Sequence, residues 1–127
     1  MHIFKLKVYY EDTDAGGVVY HANYLKFFER ARSQILTDNL ISHTSLKNKF
    51  KLMTIVKSCN INYIKPAKLD YNLEIITNIT KKSKVQMYID QKIYYNKICL
   101  VEGMFRIVIV NIDGKVSRLP SIIYNIF

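Results

Sequence analysis

Between Tyr9 and Tyr24 the chain reads Tyr-Tyr-Glu-Asp-Thr-Asp-Ala-Gly-Gly-Val-Val-Tyr-His-Ala-Asn-Tyr, bringing Asp12, Asp14, Gly16, Gly17, His21 and Asn23 into one short stretch. Asp12, Asp14 and Gly17 fit the first, third and sixth positions of a calcium-binding EF-hand loop. Gly16 then stands where a ligand is needed and Asn23 replaces the bidentate Glu, so that loop is excluded. The glycine pair lacks both the Lys-Ser/Thr of a phosphate-binding P-loop and the Gly-x-Gly-x-x-Gly spacing. What remains is a carboxylate beside the start of a helix, whose free N–H groups and positive dipole end can polarise a carbonyl or hold an oxyanion. Gly16 and Gly17 let backbone approach a ligand, and Asp14 can attack a polarised carbonyl or activate water as a general base. The plainer reading makes Asp12 and Asp14 turn or capping residues and His21 an ordinary histidine at a helix end, and spacing alone leaves both open.

The elements that must position this stretch are legible from periodicity. Phe4, Leu6, Val8 and Tyr10 alternate, which predicts a strand over Ile3 to Tyr10. After the break at Asp14-Ala15-Gly16-Gly17 the period changes. Tyr24, Phe27, Phe28, Ala31 and Ile35 form one apolar stripe, predicting a helix from Ala22 to Asn39 with Lys26, Glu29, Arg30, Arg32 and Gln34 on its other face. From Leu52 the period returns to two, and no second helix is expected before the last residues. Ile55, Cys59, Ile61 and Tyr63 mark one strand, ending near Lys65-Pro66. Tyr71, Leu73, Ile75 and Ile79 mark the next. Val85, Met87, Ile89, Ile93 and Tyr95 follow after a hairpin tip at Lys81-Lys82-Ser83-Lys84. Asn96-Lys97 links to a final strand, Ile98 to Ile112, whose nearly unbroken apolar run implies burial on both faces. Asp113-Gly114 closes it with a turn. The expected class is therefore α+β: a long helix lying across the concave face of an antiparallel meander, in one domain over residues 1–127.

Composition narrows the setting. The chain has 127 residues, 50% hydrophobic and 23% charged, with four Gly, two Pro and two Cys. That excludes disorder, collagen and a disulfide scaffold, and a chain of this size buries roughly two thirds of its unfolded surface. The 19 basic residues against 10 acidic ones give a net charge of +9. Lys, Ile, Asn and Tyr, which AT-rich codons favour, dominate the composition, so much of this charge is read as compositional. Met1 to Tyr10 alternates Lys5 and Lys7 with apolar residues and lacks the apolar core of a signal peptide. No apolar run reaches the roughly 18 residues of a membrane span. Cys59 and Cys99, in strand-like patterns, are expected to pack as small hydrophobes rather than to pair or bind metal. The expected compartment is the cytoplasm.

The run from Val8 to Tyr24, continued by Phe27-Phe28-Glu29-Arg30-Ala31-Arg32, closely resembles the signature of YbgC-type acyl-CoA thioesterases, in the 4-hydroxybenzoyl-CoA thioesterase branch of the hotdog superfamily. The similarity extends more weakly through Asn62 to Asp70 and Arg118-Leu119-Pro120. It implies a hotdog fold, one long helix wrapped by a five-stranded antiparallel sheet. It also implies paired subunits whose sheets continue across two chains with active sites at the interface, frequently as a dimer of dimers. By position, Asp14 matches the family's catalytic carboxylate, and His21 the helix-start position whose N–H faces the thioester oxygen. Its imidazole would protonate the leaving thiolate or position water. Attack by Asp14 to a mixed anhydride and base catalysis toward water both remain open.

Gly17, Tyr20, Asn23 and Tyr24 are expected to line or frame the substrate site, Tyr24 being equally a core position. Glu29 is read as a structural ion-pair partner of Arg30, Arg32 or a second chain, and Asp12 as a turn former. Coenzyme A carries a pyrophosphate and a ribose phosphate, so Lys81, Lys82 and Lys84, with Lys65 and Lys68, are the candidate phosphate contacts. Asp38 to Lys51 lacks the glycine that often closes the helix in relatives. No metal and no cofactor are expected, because the acyl-CoA thioester is the substrate. The competing reading is a non-hydrolytic hotdog protein that binds acidic acyl carrier protein or scaffolds lipid-synthesis proteins of the envelope, peripheral at the inner membrane. A nucleic-acid module, suggested by charge and ten Tyr, lacks any RNP, KH or zinc-knuckle signature.

Overall fold

A computed structural model describes every residue from Met1 to Phe127. Five strands form one antiparallel sheet: β1 (His2–Lys7), β2 (Leu52–Tyr63), β3 (Asn72–Lys82), β4 (Gln86–Tyr95) and β5 (Ile98–Asn111). Their spatial order is β1-β3-β4-β5-β2, so β1 and β2 are the two edges. Helix α1 (Asn23–Asp38) follows β1, a short helix α2 (His43–Phe50) precedes β2, and a single turn, α3 (Ser121–Tyr124), comes near the end. No helix is long and apolar enough to cross a membrane.

Helix α1 packs on β1 and β3 through the expected stripe, with Tyr24, Phe27, Phe28, Ala31 and Ile35 buried. Across from it, Leu73, Ile75 and Ile93 are at most 1% exposed. The rings of Phe28 and Phe105 meet at 5.2 Å, beside Gly103, where an added Cβ would come within 2.7 Å of the Phe105 ring. One polar network crosses this core. Gln91, fully buried, donates to the Phe28 carbonyl at 3.0 Å and to Thr77 Oγ1 at 2.9 Å, and accepts from Arg32 at 2.8 Å. Both of its N–H groups and its oxygen are thus engaged, as a buried amide requires.

Four departures from the periodicity have local causes. The first strand stops at Lys7 because the Asp12 carboxylate accepts from the Tyr9 N–H at 2.9 Å and folds Tyr10–Asp12 into a 3₁₀ turn. Helix α2 was not expected. Ser42 caps it, exchanging hydrogen bonds with Ser45, and Lys51 takes the left-handed closing position (φ 59°) usual for glycine. Leu46 is its single deeply buried anchor, too little for a visible stripe. The third departure is in β2, where the register slips between Val56 and Ser58. Ile55 therefore pairs with Val108 on the outer face, while Cys59, Ile61 and Tyr63 pair with Phe105, Gly103 and Val101 on the helix side. The fourth is that Cys59 is exposed rather than packed. Cys99 is half-buried, with burial pushing its thiol pKa up, and both are free thiols.

The remaining turns match expectation. Asn96 and Lys97 both have positive φ (46° and 67°), as a two-residue hairpin requires. In β5, Ile107 to Val110 are all buried within one chain.

Candidate active site

The motif loop is built by backbone pairing around one exposed carboxylate. Thr13 bridges to Val19, and within that small hairpin Asp14 N–H donates to Val18 O at 2.9 Å and Gly17 N–H to Asp14 O at 3.0 Å. Gly17 has φ +79°, a conformation that side-chain-bearing residues rarely take, so it is a turn requirement. The loop is stitched to the exit of β2. Val18 bridges to Lys68, Val19 N–H donates to Ala67 O at 2.9 Å, and Ala67 N–H donates to the buried Tyr24 hydroxyl at 3.0 Å.

The two aspartates therefore have different work. Asp12 is only 8% exposed and is spent on the turn, its side chain on Tyr9 and its carbonyl on Tyr20 N–H (3.0 Å) and Asn23 Nδ2 (2.9 Å). Asp14 is exposed. Its Oδ1 accepts from Gly16 N–H at 2.8 Å, which orients the carboxylate and leaves Oδ2 free for chemistry. An alanine at position 16 would press a Cβ to 3.2 Å from that oxygen.

Beside the loop, His21, Tyr24, Val19 and Tyr63 line a cleft of about 230 Å³ with Ile64, Lys65 and Pro66. The His21 ring is exposed, 4.6 Å from Tyr20 and 6.4 Å from Tyr63, whose hydroxyl donates to the His21 carbonyl at 3.3 Å. Burial first, then the charges of Tyr63 and Asp14, hold the Tyr24 phenol above its ordinary pKa against the opposing Ala67 hydrogen bond, so it stays protonated. Helix α1 starts here with Ala22 at the cap position and no side chain closing it. The Asn23 N–H is taken by the Tyr20 carbonyl at 2.8 Å, and the N–H groups that follow it in the first turn have no side-chain partner, so they and the dipole end can face an anionic or polarised oxygen.

The placements of the sequence candidates are mixed. Asp14, Gly17, Tyr20, His21, Asn23 and Tyr24 fall in one region, although Asp14 and His21 share no hydrogen bond within one chain. Asn23 uses its amide on the loop, and Tyr24 is a core residue whose edge reaches the cleft. Lys81, Lys82 and Lys84 lie at the other end of the sheet. The motif follows β1 at its Lys7 end, which pairs with Asn72, and β3 then runs on for roughly 30 Å before reaching Lys82. Lys81 stands near the Tyr88 ring, Lys82 binds the backbone oxygens of Tyr124 and Phe127, and Lys84 contacts Ser121. Within one chain, therefore, these three do not meet the cleft, whereas Lys65 lines it and Lys68 pairs with the motif loop. Glu29 pairs with Arg32 at 3.0 Å, and also contacts Ser33 and His43. Sequence reasoning did not single out the part Tyr63 plays at the cleft. Its only signal was its place just before the Lys65-Pro66 break.

Comparison with known proteins agrees with this geometry. Residues 8–127 match the model of the Thioesterase-like superfamily. The chain is 38% identical to the acyl-CoA thioesterase YbgC of Haemophilus influenzae over 114 residues, 90% of this chain and 83% of that one. It is 41% identical to the acyl-CoA thioesterase YbgC of Helicobacter pylori over 100 residues, 79% of this chain and 72% of that one. A probable thioesterase from Bartonella henselae superposes with a TM-score of 0.89 at 38% identity, covering 94% of this chain and 98% of that one. With its five-stranded sheet, its long helix and the Asp14 loop at that helix's start, the chain belongs to the thioesterase-like superfamily of hotdog proteins.

Proposed function

We propose that the protein hydrolyses acyl-CoA thioesters to a free acid and CoA, with Asp14 as the catalytic carboxylate. The observation that carries this is the division of labour in the loop. Asp12 is consumed by structure, while Asp14 is oriented by one hydrogen bond and keeps Oδ2 free beside an uncapped helix start.

In this mechanism the thioester oxygen lies against the first-turn N–H groups of α1, which stabilise the charge that develops there. Asp14 then acts in one of two ways. As nucleophile, Oδ2 bonds to the carbonyl carbon, the C–S bond breaks, and water later cleaves the resulting mixed anhydride. As base, Asp14 takes a proton from the water that adds to the carbonyl. His21, exposed and free at both ring nitrogens, is placed to protonate the departing thiolate. Neither route needs a metal or a cofactor.

The proposed assembly is a dimer through β2, pairing again into tetramers. Edge strand β2 presents twelve residues with no neighbour on its outer side, and Ile55, Val56 and Tyr63 are 47%, 48% and 51% exposed. A long apolar edge of this kind is a template for pairing. A partner there supplies the missing wall of the cleft and brings a second set of lysines toward it, so Lys81 and Lys84 serve CoA phosphates across the interface. Lys65 and Lys68 are the proposed contacts within one chain. CoA is the proposed thiol carrier and acyl carrier protein the alternative that the +9 charge permits. The proposed compartment is the cytoplasm, with inner-membrane contact peripheral.

The test is thiol release from a panel of acyl-CoA substrates by the purified chain. Turnover is expected with at least one acyl group, and a single turnover in H₂¹⁸O separates the routes. Label in Asp14 with unlabelled acid identifies the nucleophilic route with water attacking the Asp14 carboxyl carbon of the anhydride, and label in the acid alone is the result of the base route or of water attack on the acyl carbon, which trapping the anhydride with hydroxylamine then separates. No thiol release from any acyl-CoA contradicts the proposal.

A further inference from the structure

Three tyrosines stand around His21, and their surroundings give them different work. Tyr24 is only 3% exposed and its hydroxyl accepts from the Ala67 N–H, so it holds the exit of β2. Tyr20 precedes His21 in the chain. Its N–H is tied to the Asp12 carbonyl, and its exposed ring lies 4.6 Å from the imidazole. Tyr63 reaches His21 from the strand side of the cleft. Its hydroxyl has the His21 carbonyl as its one hydrogen-bond partner, at 3.3 Å, and its ring meets the His21 ring edge to face at 6.4 Å.

Tyr63 is itself on a firm support. It is the last residue of β2, paired with the fully buried Val101. Directly after it the Ile64 and Lys65 N–H groups both donate to the Leu100 carbonyl, at 2.8 and 2.9 Å, and end the strand there. His21 has no such support of its own. It is exposed, it lies between the motif loop and the Ala22 cap of α1, and the Tyr63 hydroxyl is the one side-chain group that hydrogen bonds to it.

We propose that Tyr63 is the positioning residue of His21: its hydroxyl fixes the His21 peptide and its ring edge confines the imidazole, so that the proton donor stays turned into the cleft. This rests on the thioesterase reading above. An exposed side chain left to itself changes rotamer on the picosecond to nanosecond scale, and a proton donor serves the departing sulfur only from within hydrogen-bond reach. Confinement raises the share of time spent in reach. It therefore acts on the step in which the thiolate leaves, and Tyr63 takes no part in the proton transfer itself.

The test compares thiol release from one acyl-CoA by wild type, Tyr63→Phe, His21→Ala and the Tyr63→Phe/His21→Ala double variant, with thermal midpoints as the check on folding. Tyr63→Phe keeps the ring and removes the hydroxyl, and is expected to lower kcat by about tenfold with KM within about twofold of wild type. In the His21→Ala background the same substitution should change kcat by less than about twofold, because the imidazole it orients is gone. Equal losses in the two backgrounds would mean that Tyr63 acts on the cleft as a whole and overturn the proposal, as would a Tyr63→Phe protein as fast as wild type. The χ1 angle of His21, read from NMR couplings, needs no turnover and decides where the double variant unfolds. A single rotamer in wild type that gives way to averaging in Tyr63→Phe supports the proposal, and the same rotamer distribution in both overturns it. A wild type that cleaves no acyl-CoA contradicts the thioesterase reading instead, and the couplings then decide on Tyr63 alone.

Discussion

The two halves of the sheet are finished to different degrees. Under α1, strands β1 and β3 and the adjoining face of β4 form a closed core, with Phe28, Ile75 and Ile93 fully buried in a single chain. Across β5, the edge strand β2 carries side chains of the same chemical kind, Ile55, Val56 and Tyr63, at about half exposure. For Val56 and Tyr63, on the helix side, the difference is one of cover, since α1 lies over the first half and α2 reaches only one end of β2, while Ile55 stands on the outer face that no helix covers. The closed half makes the chain fold, and the open half is the face through which the proposed dimer pairs. The Asp14 loop sits where the two join, stitched to the β2 exit through Ala67 and Lys68.

The largest effect expected from breaking this contrast is in the closed half. Phe28→Ala removes a ring packed on Phe105 and leaves a cavity, a loss of about 3–5 kcal/mol that chemical denaturation reads directly. A chain of this size has little more stability than that to lose. The same style of change in the open half should barely move folding. The Ile55→Asp/Val56→Asp double variant is expected to change the stability of the isolated chain by no more than about 0.5 kcal/mol per site. It should convert dimers to monomers in light scattering and lower turnover, because each site then lacks its second wall. Double-variant dimers as stable as wild type would remove the contrast.

The smallest expected effect is at the far end of α1, where His2 and Gln34 hydrogen bond to Asp38 at 2.8 and 2.7 Å and hold its carboxyl below the ordinary range. A depressed carboxylate contributes stability that is present above its unfolded pKa and lost as pH falls through the folded value. Wild type should therefore lose slightly more stability than Asp38→Asn below about pH 4, and equal acid profiles would show that the pair contributes nothing.

How much of this was legible in the sequence follows the same division. The closed half follows the periodicity, since one apolar stripe and three alternating strands suffice to place α1 over the sheet. In the open half periodicity misleads, because the bulge after Val56 takes Ile55 and Cys59 to opposite faces, and no sequence period encodes an inserted residue. Helix α2 leaves no periodic trace because its single anchor, Leu46, makes no pattern and Lys51 rather than a glycine takes its left-handed closing position. At the site, the residue types and the resemblance singled out Asp14 and His21. The separation of Asp12 from Asp14 is a three-dimensional fact: Asp12 turns back on Tyr9, and no spacing rule distinguishes it from its neighbour two positions on. The hairpin-tip lysines lie at the opposite end of their own chain's sheet from the motif loop, a placement the sequence does not show, since charge runs carry no information about which end of a sheet they occupy.

The central claim is that Asp14, and not Asp12, carries the chemistry. Asp14→Asn keeps the size of the side chain and the Oδ1 acceptor for Gly16 while removing the charged oxygen. Thiol release by this variant, measured on the best acyl-CoA substrate, should fall by about 10²–10⁴ in kcat with the thermal midpoint unchanged. Turnover within about threefold of wild type in a folded Asp14→Asn protein would contradict the account.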